Sequence, residues 1–120
     1  MMDKMPVRIK DDMFSRDYAL EKEYGVSDLK LYGYWERENS MYILGQIISS
    51  HINKEFCLVC TLYDEDGDVI ESIKNETYGG FGFVTHSIKP ETFFDGFPFR
   101  FEVYGTERSK VKEIQIVLSD

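Results

Sequence analysis

Few residues in this chain have the types and spacing to do chemistry. Cys57-x-x-Cys60 has the spacing of redox-active and zinc-binding pairs. The residues around it, Phe56-Cys57-Leu58-Val59-Cys60-Thr61-Leu62-Tyr63, are strand formers, however. Residues three apart on a strand point to opposite faces, so these thiols are badly placed to hold one ion or close a disulfide. Cys60 reads instead as a small buried hydrophobe. Asp64-x-Asp66-Gly67-Asp68 gathers three carboxylates and invites a calcium reading. A helix–loop–helix calcium loop needs Gly at position 6 and a bidentate Glu at position 12. Counting from Asp64, the glycine falls at position 4 and Asn75 at position 12. Asp-Gly is accounted for by a hairpin turn, without metal.

The two histidines, His51 and His86, have no neighbouring array of Ser, Cys or acid, and read as surface loop and strand-end residues. Gly79-Gly80-Phe81-Gly82 is followed by no helix whose N-terminus could hold a phosphate. Asn75-Glu76-Thr77 is a glycosylation acceptor only in a eukaryotic secretory setting. No catalytic, cofactor-binding or metal-ligating set emerges. What remains is aromatic. Tyr32, Tyr34 and Trp35 cluster on one stretch, with Tyr42 across the following turn. Facing outward, they would form a strip suited to a protein partner or a sugar ring. The competing reading is ordinary packing against the N-terminal segment.

The elements that must hold these residues are strands. Residues 56–70 form the central hairpin, with Phe56, Leu58, Cys60 and Leu62 on one face and Asp66-Gly67 at the turn. Before it come strands over 29–36 and 41–49; the second has apolar residues on both faces, so its core side is left open. After it come 68–74, then 81–87 with glycines that suggest a bulge. The strand over 97–104 sets Phe97, Phe99, Phe101 and Val103 against Pro98, Arg100, Glu102 and Tyr104. Residues 111–118 close the sheet. Within residues 1–27, Val7 and Ile9 suit a short strand. Residues 14–24 read either as a helix closed by Gly25 or as a mobile tail.

About seven strands joined by short connections leave no room for parallel crossovers, so the sheets must be mainly antiparallel. The expected fold is an all-β, immunoglobulin-like β-sandwich over residues 28–120 with an N-terminal extension over 1–27; an open barrel is the alternative. One domain suits 120 residues, and a single alanine (Ala19) among nine Phe and eight Tyr disfavours a helical bundle. The net charge is −8: residues 1–27 carry five Lys/Arg and six Asp/Glu, the remainder nine and sixteen. No cationic cluster offers itself to nucleic acid or to an anionic membrane. No apolar run approaches membrane-spanning length, and residues 1–12 lack the apolar core of a secretory signal. A cytoplasmic protein is expected, the alternative being a secreted or lipoprotein domain whose leader has been removed.

Cys60-Thr61-Leu62-Tyr63-Asp64 resembles the signature of bacterial sandwich domains named for the motif Phe-x-Leu-Tyr-Asp. Cys60 stands for the Phe, while Leu62, Tyr63, Asp64 and Gly67 match. Gly45 within 41–49, and Ile88-Lys89-Pro90-Glu91 leading to Phe99, are similar to the flanking features of those domains. The resemblance implies a small, non-catalytic accessory domain and brings no catalytic residues with it. The expected function is therefore protein interaction or self-association. The alternative is a ligand-binding module for carbohydrate or calcium.

Overall fold

The computed structural model describes residues 5–78 and 84–120, so the glycine-rich stretch at Gly79, Gly80 and Gly82 lies outside the described residues. Along the chain run β1 (Val7–Arg8), β2 (Phe14–Arg16), α1 (Tyr18–Tyr24), β3 (Asp28–Arg37) and β4 (Ser40–Ile48). They are followed by β5 (Cys57–Tyr63), β6 (Val69–Lys74), β7 (Thr77–Tyr78), β8 (Val84–Thr85), β9 (Phe97–Tyr104) and β10 (Glu113–Ser119). Six long strands match six of the seven expected, and β8 is the described part of the seventh. The count exceeds seven because the short strand expected at Val7 and Ile9 forms as β1, and β2 and β7 are too short to show alternation in the sequence.

Two four-stranded sheets, ordered β1-β3-β4-β9 and β2-β10-β5-β6, pack face to face as an all-β sandwich. Sheet neighbours β3-β4-β9 and β5-β10 follow the A-B-E and C-F order of immunoglobulin-like sandwiches. One pairing departs from the antiparallel expectation: β2 runs parallel to β10, with Phe14 opposite Ile114 and Arg16 opposite Ile116.

The segment before residue 28 thus gives a strand to each sheet. The helix expected over 14–24 is confined to Tyr18–Tyr24, where Asp17 caps it by accepting the Leu20 N–H at 3.0 Å. Residues 14–16 form β2 instead, where their backbone pairs with β10. The Arg16 guanidinium donates to Glu21 (3.0 Å from Nε) and pairs with Asp28 (3.0 Å), and its ring neighbour is Tyr18 at 4.5 Å. Burial alone would lower the Arg16 pKa; hydrogen bonds to Glu21 and Asp28 outweigh it and leave the pKa raised. This network ties β2, α1 and β3 together.

The core is what the alternation dictates. From one sheet come Leu29, Trp35, Met41, Ile43, Ile47, Phe97, Phe99, Phe101 and Val103, and from the other Leu58, Cys60, Leu62, Ile114, Ile116 and Leu118, all buried. The open question over 41–49 is settled, because Met41, Ile43 and Ile47 face inward and Leu44 is exposed. Gly45 shares the inward set because Phe99 lies across it: a Cβ there would stand 2.3 Å from the Phe99 ring. At the central hairpin, Gly67 takes φ +81° and donates to the Asp64 carbonyl at 3.1 Å. Between β6 and β7 the chain crosses from one sheet to the other at Asn75. Its side chain accepts the Leu58 N–H at 2.8 Å, and Glu76 then pairs with Arg100 of β9.

Candidate functional site

The tyrosines gather on the outer face of the β1-β3-β4-β9 sheet. Register places Tyr32 opposite Leu44 and Leu44 opposite Arg100; the next row is Tyr34, Tyr42 and Glu102, and the row beyond pairs Ser40 with Tyr104. Side chains on these rows point away from the core because their odd-numbered neighbours are buried. Ring centroids step from Tyr32 to Tyr34 (6.0 Å), to Tyr42 (5.5 Å) and to Tyr104 (5.9 Å), so three strands contribute to one continuous ladder. Tyr32 is 47 % and Tyr104 58 % exposed, and Leu44 beside them is also open.

Three of the four aromatics singled out in the sequence, Tyr32, Tyr34 and Tyr42, are brought together. Trp35 is not. It is 4 % exposed and belongs to the core, because it follows Tyr34 directly and must take the opposite face. Tyr104 replaces it. The signal for Tyr104 was present in β9, where it falls on the polar side of the Phe97/Phe99/Phe101/Val103 alternation.

The rings are packed against one another more than laid open. Tyr34 and Tyr42 stack at an interplanar angle of 23°, and the Arg8 guanidinium covers Tyr32 at 5.2 Å. The Tyr42 and Tyr104 hydroxyls hydrogen-bond at 2.9 Å. That bond, then loss of solvent, then Glu36 beside the hydroxyl raise the Tyr42 pKa. With ring faces occupied, the ladder offers edges, hydroxyls and the open side of Tyr104.

The other chemistry-bearing residues have structural explanations. Cys57 and Cys60 are free and buried. Burial pushes the Cys60 thiol up to about 12, which keeps it protonated and inert. Asp64, Asp66 and Asp68 can bring one carboxylate oxygen each within 4.8 Å of the others. The Asp64 carboxylate already accepts the N–H groups of Asp66 and Asp68, both at 2.9 Å, which is the geometry of a self-capped turn. Lys110 and Lys112 border the same depression. His86 donates from Nδ1 to the Asn75 carbonyl at 2.5 Å, and the His51 Nδ1 lies 3.5 Å from the Ser50 hydroxyl. Asn75 is fully buried with its amide oxygen bonded, so the folded chain does not present it as a glycosylation acceptor.

Comparison with protein-family models, with curated proteins and with solved structures finds no match. No helix among the described residues is long and apolar enough to cross a membrane.

Proposed function

We propose that this chain is a non-catalytic interaction domain that binds another protein through the tyrosine face of its β3-β4-β9 sheet. The observation that carries the reading is the four-tyrosine ladder, which places large, hydrogen-bonding rings on an outer face where a sandwich needs none for stability. Tyrosine is a favoured contact residue at protein interfaces because it combines area with a hydroxyl at low rotamer cost. The sequence resemblance to Phe-x-Leu-Tyr-Asp sandwich domains supports the same accessory role. Stacking of the rings on each other favours protein over carbohydrate, since a sugar needs an open ring face.

The experiment is a photo-reactive phenylalanine analogue at Tyr104, with one at Val69 on β6 as control. A thermal-shift panel of soluble glycans and calcium is run beside it. The expected result is a protein adduct from the Tyr104 site that the Val69 site does not give, and no stabilisation across the panel. A glycan-specific rise in Tm, abolished by Tyr32→Ser with Tyr104→Ser, would replace this reading with a carbohydrate-binding one.

A further inference from the structure

The ladder ends at a corner with properties the rest of the face lacks. Tyr104 stands edge-on to Tyr42, at 88° between rings, so one face of Tyr104 is open. Glu36 lies beside the Tyr42 hydroxyl, and Glu102 is directly opposite Tyr42 across β4 and β9. Three other tyrosines among the described residues pair a neighbouring carboxylate with a cation over the ring. Arg8 covers Tyr32 and pairs with Asp11, Arg16 covers Tyr18 and pairs with Glu21, and Lys54 covers Tyr24 and pairs with Asp120. Tyr104 has the ring and two neighbouring carboxylates; Glu102 already meets the Arg100 guanidinium at 3.9 Å, but no cation of the described residues lies over the Tyr104 ring.

The backbone at the same corner is also unfilled. β9 is an edge strand, and the N–H and C=O of Arg100 pair with Glu76 at 2.9 and 2.8 Å. That pairing sets the phase: two residues on, Glu102 and then Tyr104 present their N–H and C=O groups to the same side. Coming from β6, the chain meets β9 at Glu76 and runs on towards Pro98, whose carbonyl accepts from the Thr77 hydroxyl at 3.0 Å, so no strand of the described residues pairs with Glu102 or Tyr104. Finally, the Ser40 hydroxyl, opposite Tyr104, is 6 % exposed and has no hydrogen-bond partner.

We propose that this corner, made by Tyr42, Tyr104, Glu36 and Glu102, binds an extended segment of a partner protein carrying arginine or lysine at alternate positions. The segment adds as an antiparallel strand to the β9 edge. Period-two spacing puts every second side chain on the tyrosine face, so a cation can sit over Tyr104 between the two glutamates. The net charge of −8 steers such a segment in and repels an acidic one. The proposal rests on the interaction-domain reading above and names the partner's chemistry. The six-residue edge of β6 is a poorer host. Glu71 there points to the inner side and accepts from Thr106 at 3.1 Å, an inward charge that discourages added strands.

The test is a titration of isotope-labelled protein with three short synthetic peptides, followed by amide NMR. One alternates Arg with Thr, the second replaces Arg by Glu, and the third keeps Arg but replaces Thr by Pro to remove strand donors. The first should shift the amides of Ser40, Glu102 and Tyr104, while the second should not. The third should bind more weakly by about tenfold. Tyr104→Ser with Glu102→Gln should weaken the first by about tenfold, and the peptide controls on the unaltered protein stand even if that variant fails to fold. Equal binding of the Arg and Glu peptides, shifts confined to β6, or no binding would overturn the corner as a basic-strand site. If a Tyr104 cross-linked partner is nevertheless found, only the partner chemistry falls. If the glycan panel gives the response instead, the interaction reading falls as well.

Discussion

On the outer face of the β2-β10-β5-β6 sheet, polar side chains pair among themselves. Thr61 meets Ser72 at 3.1 Å, Tyr63 donates to Gln115 at 3.2 Å and Ser15 donates to Glu113 at 2.7 Å. On the outer face of the β1-β3-β4-β9 sheet the same alternation sets out Tyr32, Tyr34, Tyr42, Leu44 and Tyr104, three of them large and open to solvent. Both sheets have equivalent inner walls, so folding does not require this difference. A sheet that needs only solubility can end in small hydroxyls and amides. One that keeps exposed rings in register across three strands gives up solubility for contact.

The comparison breaks first if the inner walls are unequal. Phe101→Ala on one sheet and Leu58→Ala on the other each remove a fully buried side chain and should each cost about 3–5 kcal/mol in urea unfolding. A loss near zero for either would mean that its wall is not core. Next in size is the clamp that attaches the N-terminal segment. Glu21→Ala removes the buried partner of the Arg16 guanidinium, whose side chain is 12 % exposed, leaves it the more open Asp28, and should cost about 2 kcal/mol. Hydrogen exchange should show the loss concentrated in β2 and α1. A uniform loss would show that the segment is not locally clamped.

These two predictions also mark where the sequence was legible. The walls could be read directly, because Leu58/Cys60/Leu62 and Phe97/Phe99/Phe101 each repeat at period two, and both rows are buried on facing sheets. The clamp could not. Arg16 pairs with Asp28 and β2 pairs with β10 nearly a full chain length away, contacts that leave no local pattern. Of the candidate face, Tyr32, Tyr34 and Tyr42 are visible in the sequence as a cluster, whereas Trp35 is near them in sequence only, its parity sending it inward. Tyr104 lies far along the chain, and only the β4–β9 register brings it beside Tyr42.

The core of the sandwich should also respond to alkali. Cys60 ordinarily titrates at 9.0 and is held up to about 12 by burial, and the Tyr24 hydroxyl is raised from 10.0 to about 12, chiefly by donating to Asp120. A raised folded-state pKa contributes stability that is present below the unfolded value and lost as pH climbs towards the folded one. Stability should therefore fall between pH 9.0 and about 12, and Cys60→Val should flatten the early part of that fall. An unchanged slope would move the effect to Tyr24. Smaller again is the turn: Asp64→Ala removes two N–H···O bonds and should cost about 1 kcal/mol, equally in chelator and in calcium. Stabilisation of the unaltered protein alone by added calcium would make the turn a metal site.

The smallest effect discriminates best between the two outer faces. Thr61→Ala loses the bond to Ser72 on a side chain that is nearly buried, and should cost about 1 kcal/mol. Tyr104→Ser removes a far larger side chain, but one that is 58 % exposed and touches mainly Tyr42, so its cost should stay below about 0.5 kcal/mol. The ranking is the reverse of the ranking by size, and chemical denaturation of the two variants side by side would show it. A large loss at Tyr104 would mean that the ring is held for folding, and the tyrosine face would then be an outer layer of the core. A small one leaves the ring with nothing to do for the free domain, which is the condition under which a partner is the reason it is there.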